Sequence, residues 1–279
     1  MSMSITTVSP QKSTNPPIRV LAIAGATGIG KTTWIQQQIT KISEPVIYFC
    51  PNLGNALIDP TCIKTKFSHM QIFTDGQELE LIEKVEQGAI ALIELGFHLD
   101  LRSGDMLLDT LADRHSCKRI ALVPSQLTSS EWHDWADEIL PVKYDADFHD
   151  LQIWRSPFTG QVFDPSSLNV LWYEITQGAY GEVTRAKGIF DLFDGRAFHL
   201  DFVTGMEDSL YLPLDVPLWL DGRPERFSGI EVVGRNLDGK AIAQCIIDCC
   251  LSEEIMLHYQ NQIKQSHQQS HQQSRQVAA

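Results

Sequence analysis

Apolar residues along the chain fall into short unbroken runs, separated by stretches in which they recur every three or four positions. Runs of this length predict strands buried on both faces, and the wider spacing predicts helices. The first run is Ile18-Arg-Val-Leu-Ala-Ile-Ala24, preceded by Pro16-Pro17 and followed by a glycine-rich stretch. Trp34, Ile35, Ile39 and Ile42 then stand at helical spacing. Pro45-Val-Ile-Tyr-Phe-Cys50 predicts a second strand. Leu79, Leu81, Ile82 and Val85 predict a helix over 77–87, after which 89–93 reads as a strand running into Glu94. Residues 107–114 predict a helix and 119–123 another strand. A further helix is expected over 129–140, opened by Ser129, acidic in its first turns and stopped by Pro141. Strands that alternate with helices and are apolar on both sides predict a parallel sheet covered on both faces.

The rhythm changes near residue 145. Residues 164–178 predict a capped helix ending at Gly178, and 184–192, 197–203 and 209–214 read as short strands. Asp194-Gly195 is a hairpin-turn signal between the first two. A strand over 227–233 and one helix over 239–258 complete the pattern. The expected fold class is therefore α/β, a doubly wound, mostly parallel sheet with a smaller C-terminal α+β domain. Residues 1–17 are expected to be disordered, 18–150 to form the parallel-sheet domain, 151–180 a connecting helical segment and 181–259 the second domain. The polar residues 260–279, with Ser-His-Gln-Gln repeated from Ser266, cannot bury a core and read as disordered or as a frayed helix extension.

Composition narrows the function classes. The 279 residues are 43% hydrophobic and 20% charged, which is globular, and the formal net charge is −13. That balance gives no help to a nucleic acid or an anionic membrane as partner. No apolar stretch approaches the ~20 residues of a membrane span, and the polar N-terminus has no secretory signal pattern. Six cysteines without framework spacing fit a reducing compartment, so the cytoplasm is expected.

Chemistry concentrates between the first strand and the first helix. Gly25-Ala26-Thr27-Gly28-Ile29-Gly30-Lys31-Thr32 matches the phosphate-loop pattern G-x-x-x-x-G-K-[ST] in full, in the strand-to-helix context that pattern requires. Its glycines let the backbone wrap with N–H groups inward, and the helix behind it turns a positive end to phosphates. Lys31 is expected to reach the β- and γ-phosphates of GTP or ATP, Thr32 to offer its hydroxyl to Mg²⁺, and Thr33 to contact the α-phosphate. Glu94, at the end of its strand, is the leading carboxylate for Mg²⁺ or for the attacking water, and Asp59 is the second. The doubly wound unit is thus read as a P-loop NTPase domain, with Lys31, Glu94 and Asp59 as its catalytic residues. Hydrolysis in such switches is slow until a partner or a second copy of the chain supplies another positive charge.

These residues, with 181–190 (Gly-Glu-Val-Thr-Arg-Ala-Lys-Gly-Ile-Phe), 198–203 and 229–238, resemble the CobW-like family of P-loop GTPases, associated with metal and metal-cofactor insertion. The resemblance implies a GTP-driven switch that gates delivery of a metal or cofactor to a client protein. Three features depart from the family pattern. Only Cys62 stands where the family has Cys-x-Cys-Cys, Glu94-Leu-Gly96 is one residue shorter than Glu-x-x-Gly, and Val123-Pro-Ser-Gln126 replaces the guanine-reading Asn-Lys-x-Asp. Two other readings follow from the residues: a regulatory nucleotide-binding module without efficient turnover, and a small-molecule kinase with Arg102 and Arg114 in a lid. Cys245, Cys249 and Cys250 read as core thiols. His258, His267 and His271 could meet a transition metal only on a helical tail.

Overall fold

The computed structural model describes residues 17–51, 54, 56–144, 147–205 and 209–277; for 103, 267 and 270–277 only the backbone is described. The N-terminal residues expected to be disordered lie outside this set, apart from Pro17, as do Asn52, Leu53 and Asn55 of the stretch before Asp59.

The first unit alternates strands and helices in the expected way. In chain order it comprises β1 (Ile18–Gly25), α1 (Lys31–Ile39), β2 (Val46–Phe49), α2 (Ile58–Lys66), β3 (Gln71–Phe73), α3 (Glu78–Glu86), β4 (Ile90–Glu94), a 3₁₀ turn (Leu101–Gly104), α4 (Asp105–Ala112), β5 (Ser116–Pro124), α5 (Glu131–Trp135) and β6 (Glu138–Val142). The six strands form one parallel sheet in the order β3-β2-β4-β1-β5-β6. Val20, Ile23, Tyr48 and Leu92 from the strands share one buried core with Ile35 and Ile39 of α1, Ile63 of α2, Leu81 of α3 and Leu108 of α4. The chain leaves β1 for β2 on the far side of β4, so strand order reverses beside β1. In open α/β sheets ligands bind at the carboxyl ends of strands at such a switch point.

The second unit comprises β7 (Gln152–Pro157), β8 (Val162–Phe163), α6 (Pro165–Thr176), β9 (Glu182–Leu192), β10 (Ala197–Val203), β11 (Leu210–Pro213), β12 (Gly229–Arg235), α7 (Gly239–Asp248) and α8 (Glu253–Val277). Strands β11-β10-β9-β12-β7 form an antiparallel sheet, and β8 runs parallel to β9. Its own core centres on Phe163, Trp172 and Phe190, whose rings meet edge to face.

Three expectations need correcting, and the tail follows one of its two readings. The helix expected over 129–140 ends at Trp135, and 138–142 is the edge strand β6. Backbone pairing with β5 outweighs the helical spacing of Trp132 and Trp135, and Pro141 is tolerated because an edge strand needs no donor on its outer side. The helix expected over 239–258 is two helices. Cys249–Leu251 pairs its backbone with Val162–Asp164 instead, through Asp164 N to Cys249 O and Leu251 N to Val162 O. The segment 151–180 is more than a helical connector, since β7 and β8 within it pair in the second sheet. The tail continues α8 as helix to Val277, with Gln262 bonded to His258 one turn before it and Ser266 to the Gln262 carbonyl. Same-face polar pairs of this kind support its exposed turns, while Gln260 at its start is buried and bonded to the Gly222 backbone. The side chains of His267 and His271 lie outside the described residues.

Candidate functional site

The glycine-rich loop joins β1 to α1 at the carboxyl edge of the parallel sheet. Two positions show why only glycine fits there. Gly25 has φ +142°, and a Cβ on it would stand 2.3 Å from the Leu122 carbonyl oxygen. Gly28 has φ +71°, and its Cβ would press on Val203 at 3.1 Å and on the Arg185 guanidinium at 3.3 Å. The second contact is informative, because both partners belong to the second sheet. The antiparallel unit packs directly on the crest of the loop.

α1 begins at Lys31, and no side chain caps its N-terminus. First-turn amides have no carbonyl partner within their own helix, so this end is suited to an anion. Lys31 is buried, and its Nζ donates to the carbonyls of Gly25 and Ala26 at 2.9 Å each. Burial lowers its pKa to about 8, against the pull of the Glu94 carboxylate and with the help of Arg185 and Lys187.

Glu94 lies where the sequence placed it. Parallel pairing sets it beside Ile23, two residues ahead of Gly25. It is buried and accepts from Thr32 Oγ1 at 2.8 Å and from the Tyr48 hydroxyl at 3.0 Å. Burial raises its pKa, opposed by Lys31 and Lys187. A hydroxyl and a carboxylate at contact distance form a hard-oxygen pair of the kind Mg²⁺ prefers, so Thr32 and Glu94 fit that ion.

Asp59 lines the same cavity as the glycine-rich loop, but from a helix and not from a loop. Expected as a loop acid facing phosphate, it sits buried in the first turn of α2, and its Oδ2 accepts from Lys187 Nζ at 2.5 Å. Burial alone would raise its pKa, but Lys187 outweighs burial and holds it below the usual carboxylate range.

Lys187 belongs to a row of charges absent from the sequence reading. Across four neighbouring strands, Arg155 of β7 stands opposite Glu231 of β12, Glu231 opposite Lys187 of β9, and Lys187 opposite Asp201 of β10. Signs alternate along the row, as cross-strand pairs favour. Arg155 Nε donates to Glu231 at 2.7 Å, and Lys187 Nζ lies 3.1 Å from the other Glu231 oxygen. Despite its burial, Glu231 is held down at about 2 by Lys187 and Arg155. One residue pair along β9, Arg185 reaches Asp201 through Nη2 at 3.2 Å.

Loop, charge row and Glu94 enclose one cavity of about 700 Å³, lined by Thr27, Gly28, Gly30, Lys31, Thr32 and Thr33 on one side and Arg185, Lys187, Asp201 and Leu212 on the other. That volume lies within the range of small-molecule and cofactor pockets. Tyr144 closes the structure behind the loop, its hydroxyl donating to the Thr27 carbonyl at 2.5 Å. Beyond β5, Gln126 donates to the Tyr144 carbonyl at 2.7 Å. Neither Arg102 nor Arg114 lines the cavity; Arg114 pairs on the surface with Glu86. Among the described residues no cluster of three His, Cys, Asp or Glu is placed to hold a metal ion, and no helix is long and apolar enough to cross a membrane.

No protein-family model matches the chain, and no curated protein matches it. Solved structures resemble it, among them two of YjiA GTPase. The Zn(II)-bound YjiA GTPase from E. coli is 15% identical, with 84% of this chain and 99% of that one covered and a TM-score of 0.31. A Zn(II)-bound triple mutant of YjiA GTPase is 14% identical, with the same coverage and a TM-score of 0.30.

Proposed function

We propose that this chain is a nucleotide-driven switch: it binds a nucleoside triphosphate with Mg²⁺ on residues 25–33 and hydrolyses it slowly. One observation carries the reading. Lys31, the uncapped start of α1 and the Thr32–Glu94 pair all face the same cavity at the sheet's switch point. In the loaded site Lys31 would leave the loop carbonyls for the phosphates, and Thr32 and Glu94 would hold the metal. Bound Mg²⁺ would neutralise charge developing on the transferred phosphoryl group. The CobW-like resemblance extends the reading to delivery of a metal or metal cofactor to a client protein. Cys62 alone would not hold such cargo, since soft metals need several converging ligands. A second reading, binding without efficient turnover, draws support from Asp59, whose Oδ2 is engaged by Lys187. The kinase reading loses its lid arginines.

The direct test is calorimetric titration of the full chain with GTP, ATP, GDP and ADP, with and without Mg²⁺. Micromolar binding of at least one triphosphate, strengthened by Mg²⁺, is expected; no binding of either overturns the proposal. The same titration carries a pH signature. Below about pH 8 the empty site already holds an ammonium on Lys31, and above it a neutral amine. Phosphates stabilise the charged form, so binding above pH 8 must take up a proton. Affinity is therefore expected to hold steady from pH 7 to 8 and to fall toward roughly tenfold per unit above that. Flat affinity up to pH 9.5 would show that Lys31 takes up no proton when the nucleotide binds.

A further inference from the structure

The second sheet faces the loop with two cations on alternate residues of β9, Arg185 and Lys187, and their partners distinguish them. Lys187 is spent. Its ammonium is shared between Asp59 and Glu231, two buried carboxylates from different elements. Arg185 meets Asp201 only through Nη2, and no described residue accepts a hydrogen bond from Nη1. That Nη1 is the atom 3.3 Å from where a Gly28 side chain would begin, at the crest of the phosphate loop. The side chain is largely buried, so the guanidinium is held against the loop rather than sampling solvent. Val203, opposite Arg185 on β10, packs on the same glycine and fixes the approach.

We propose that Arg185 is the additional positive charge for phosphoryl transfer, supplied in cis by the second sheet, so that turnover needs neither a partner protein nor a second copy of the chain. The inference rests on the nucleotide reading above and names one more residue of that site. The step is hydrolysis of the terminal phosphoanhydride. Water oxygen forms the new bond to the γ-phosphorus, and the bond from that phosphorus to the bridging oxygen breaks. The bridging oxygen keeps the electron pair as diphosphate, and the proton lost by water passes to phosphate or solvent. Negative charge grows on the bridging and γ-oxygens, and a guanidinium at the loop crest offers planar donors to both. Arginines in this role accelerate turnover by about 10³–10⁵. Arg185 also ties the state of the nucleotide to the second sheet, because the strand that carries it carries Lys187 as well.

The test compares the full-length wild type with Arg185→Ala and Arg185→Lys, using Mg–GTP or Mg–ATP, whichever the wild type binds, and the matching diphosphate. Three quantities are read: single-turnover hydrolysis, diphosphate affinity, and capture of the Mg–diphosphate–aluminium fluoride complex. Arg185→Ala is expected to slow hydrolysis at least 100-fold and to abolish aluminium fluoride capture, with diphosphate affinity within about threefold of wild type. Arg185→Lys keeps the charge and its attraction to Asp201, so it serves if the alanine variant does not fold; a loss of about tenfold is expected. Three results would overturn the assignment alone: hydrolysis by the variants within threefold of wild type, a loss of diphosphate affinity as large as the loss of rate, or a wild type that binds triphosphate without turning it over. A wild type that binds neither triphosphate overturns the nucleotide reading and this inference together.

Discussion

Replacing Lys31 by alanine is expected to remove almost all of the thermal stabilisation that Mg–nucleotide gives the wild-type chain. A ligand at 100 times its Kd stabilises a protein by about 2.7 kcal/mol. For a chain of this size that is a rise of roughly 5–10 °C in melting temperature. Hydrogen bonds to a charged donor contribute about 1.5–3 kcal/mol each, so losing the ammonium weakens binding on the order of 100-fold. At the same ligand concentration the site is then about half filled, and the stabilisation falls to about 0.4 kcal/mol. Without ligand the substitution has two opposed effects. The wild-type ammonium is buried, and its lowered pKa corresponds to a cost on the order of 3 kcal/mol below pH 8. The alanine chain escapes that cost but leaves the carbonyls of Gly25 and Ala26 without their donor. The empty variant is therefore expected to melt within a few degrees of the empty wild type. Differential scanning fluorimetry with and without nucleotide separates the terms, and a variant that keeps the full ligand-induced rise would rule out Lys31 as a phosphate contact.

The parts of this site that the sequence made legible are those dictated by the backbone. A phosphate loop needs glycines at set positions, a lysine, a buried strand before it and a helix after it, all contiguous in the chain. Glu94 was legible for a related reason, since a carboxylate ending a buried parallel strand can only project at the sheet's carboxyl edge. Tyr48, Tyr144, Arg185 and Lys187 were not legible, because each reaches the site through tertiary packing. β9 shows why. Val183, Arg185, Lys187, Ile189 and Asp191 alternate with Thr184, Ala186, Gly188, Phe190 and Leu192, which is the pattern of an antiparallel strand with one face toward water. Here the polar face is buried as well, against α2 and the phosphate loop. The available signal was compositional: basic residues at 185 and 187 and acidic ones at 201 and 231, in segments read as strands. Strand pairing is a long-range property, and nothing local sets the register that aligns them. The same limit explains Asp59, whose partner lies 128 residues away.

Lys187→Met is the substitution with the largest expected cost to the fold. It removes the one cation shared by Asp59 and Glu231 and leaves two buried carboxylates, of which only Glu231 keeps a partner, Arg155. Breaking a buried ion pair from one side costs about 3–5 kcal/mol, because the remaining charge has lost both water and its counter-ion. At roughly 2–4 °C per kcal/mol, a fall of about 10 °C in melting temperature is expected near pH 7. The sign of the pH dependence identifies the cause. In the wild type Asp59 and Glu231 titrate below their unfolded values, so their contribution is present above about pH 4.5 and lost as the solution becomes more acid, toward about pH 2 for Glu231. In the variant burial is no longer outweighed at Asp59, so its folded pKa rises above the unfolded one and protonation favours the fold. The gap between wild type and variant should therefore be widest at pH 7–8 and narrow toward pH 5. Adding Asp59→Asn to the methionine variant should recover part of the loss at pH 7, since it removes the stranded charge. A deficit that is independent of pH, and untouched by the asparagine, would mean that Lys187 acts through the packing of its stem and not through its charge. The location of the pair gives the measurement a functional meaning. Asp59 lies on α2, which joins the strand that carries Tyr48 to β3, whereas Lys187 and Glu231 belong to the second sheet. The Lys187–Asp59 pair that stabilises the fold thus also joins α2 of the first unit to the antiparallel sheet.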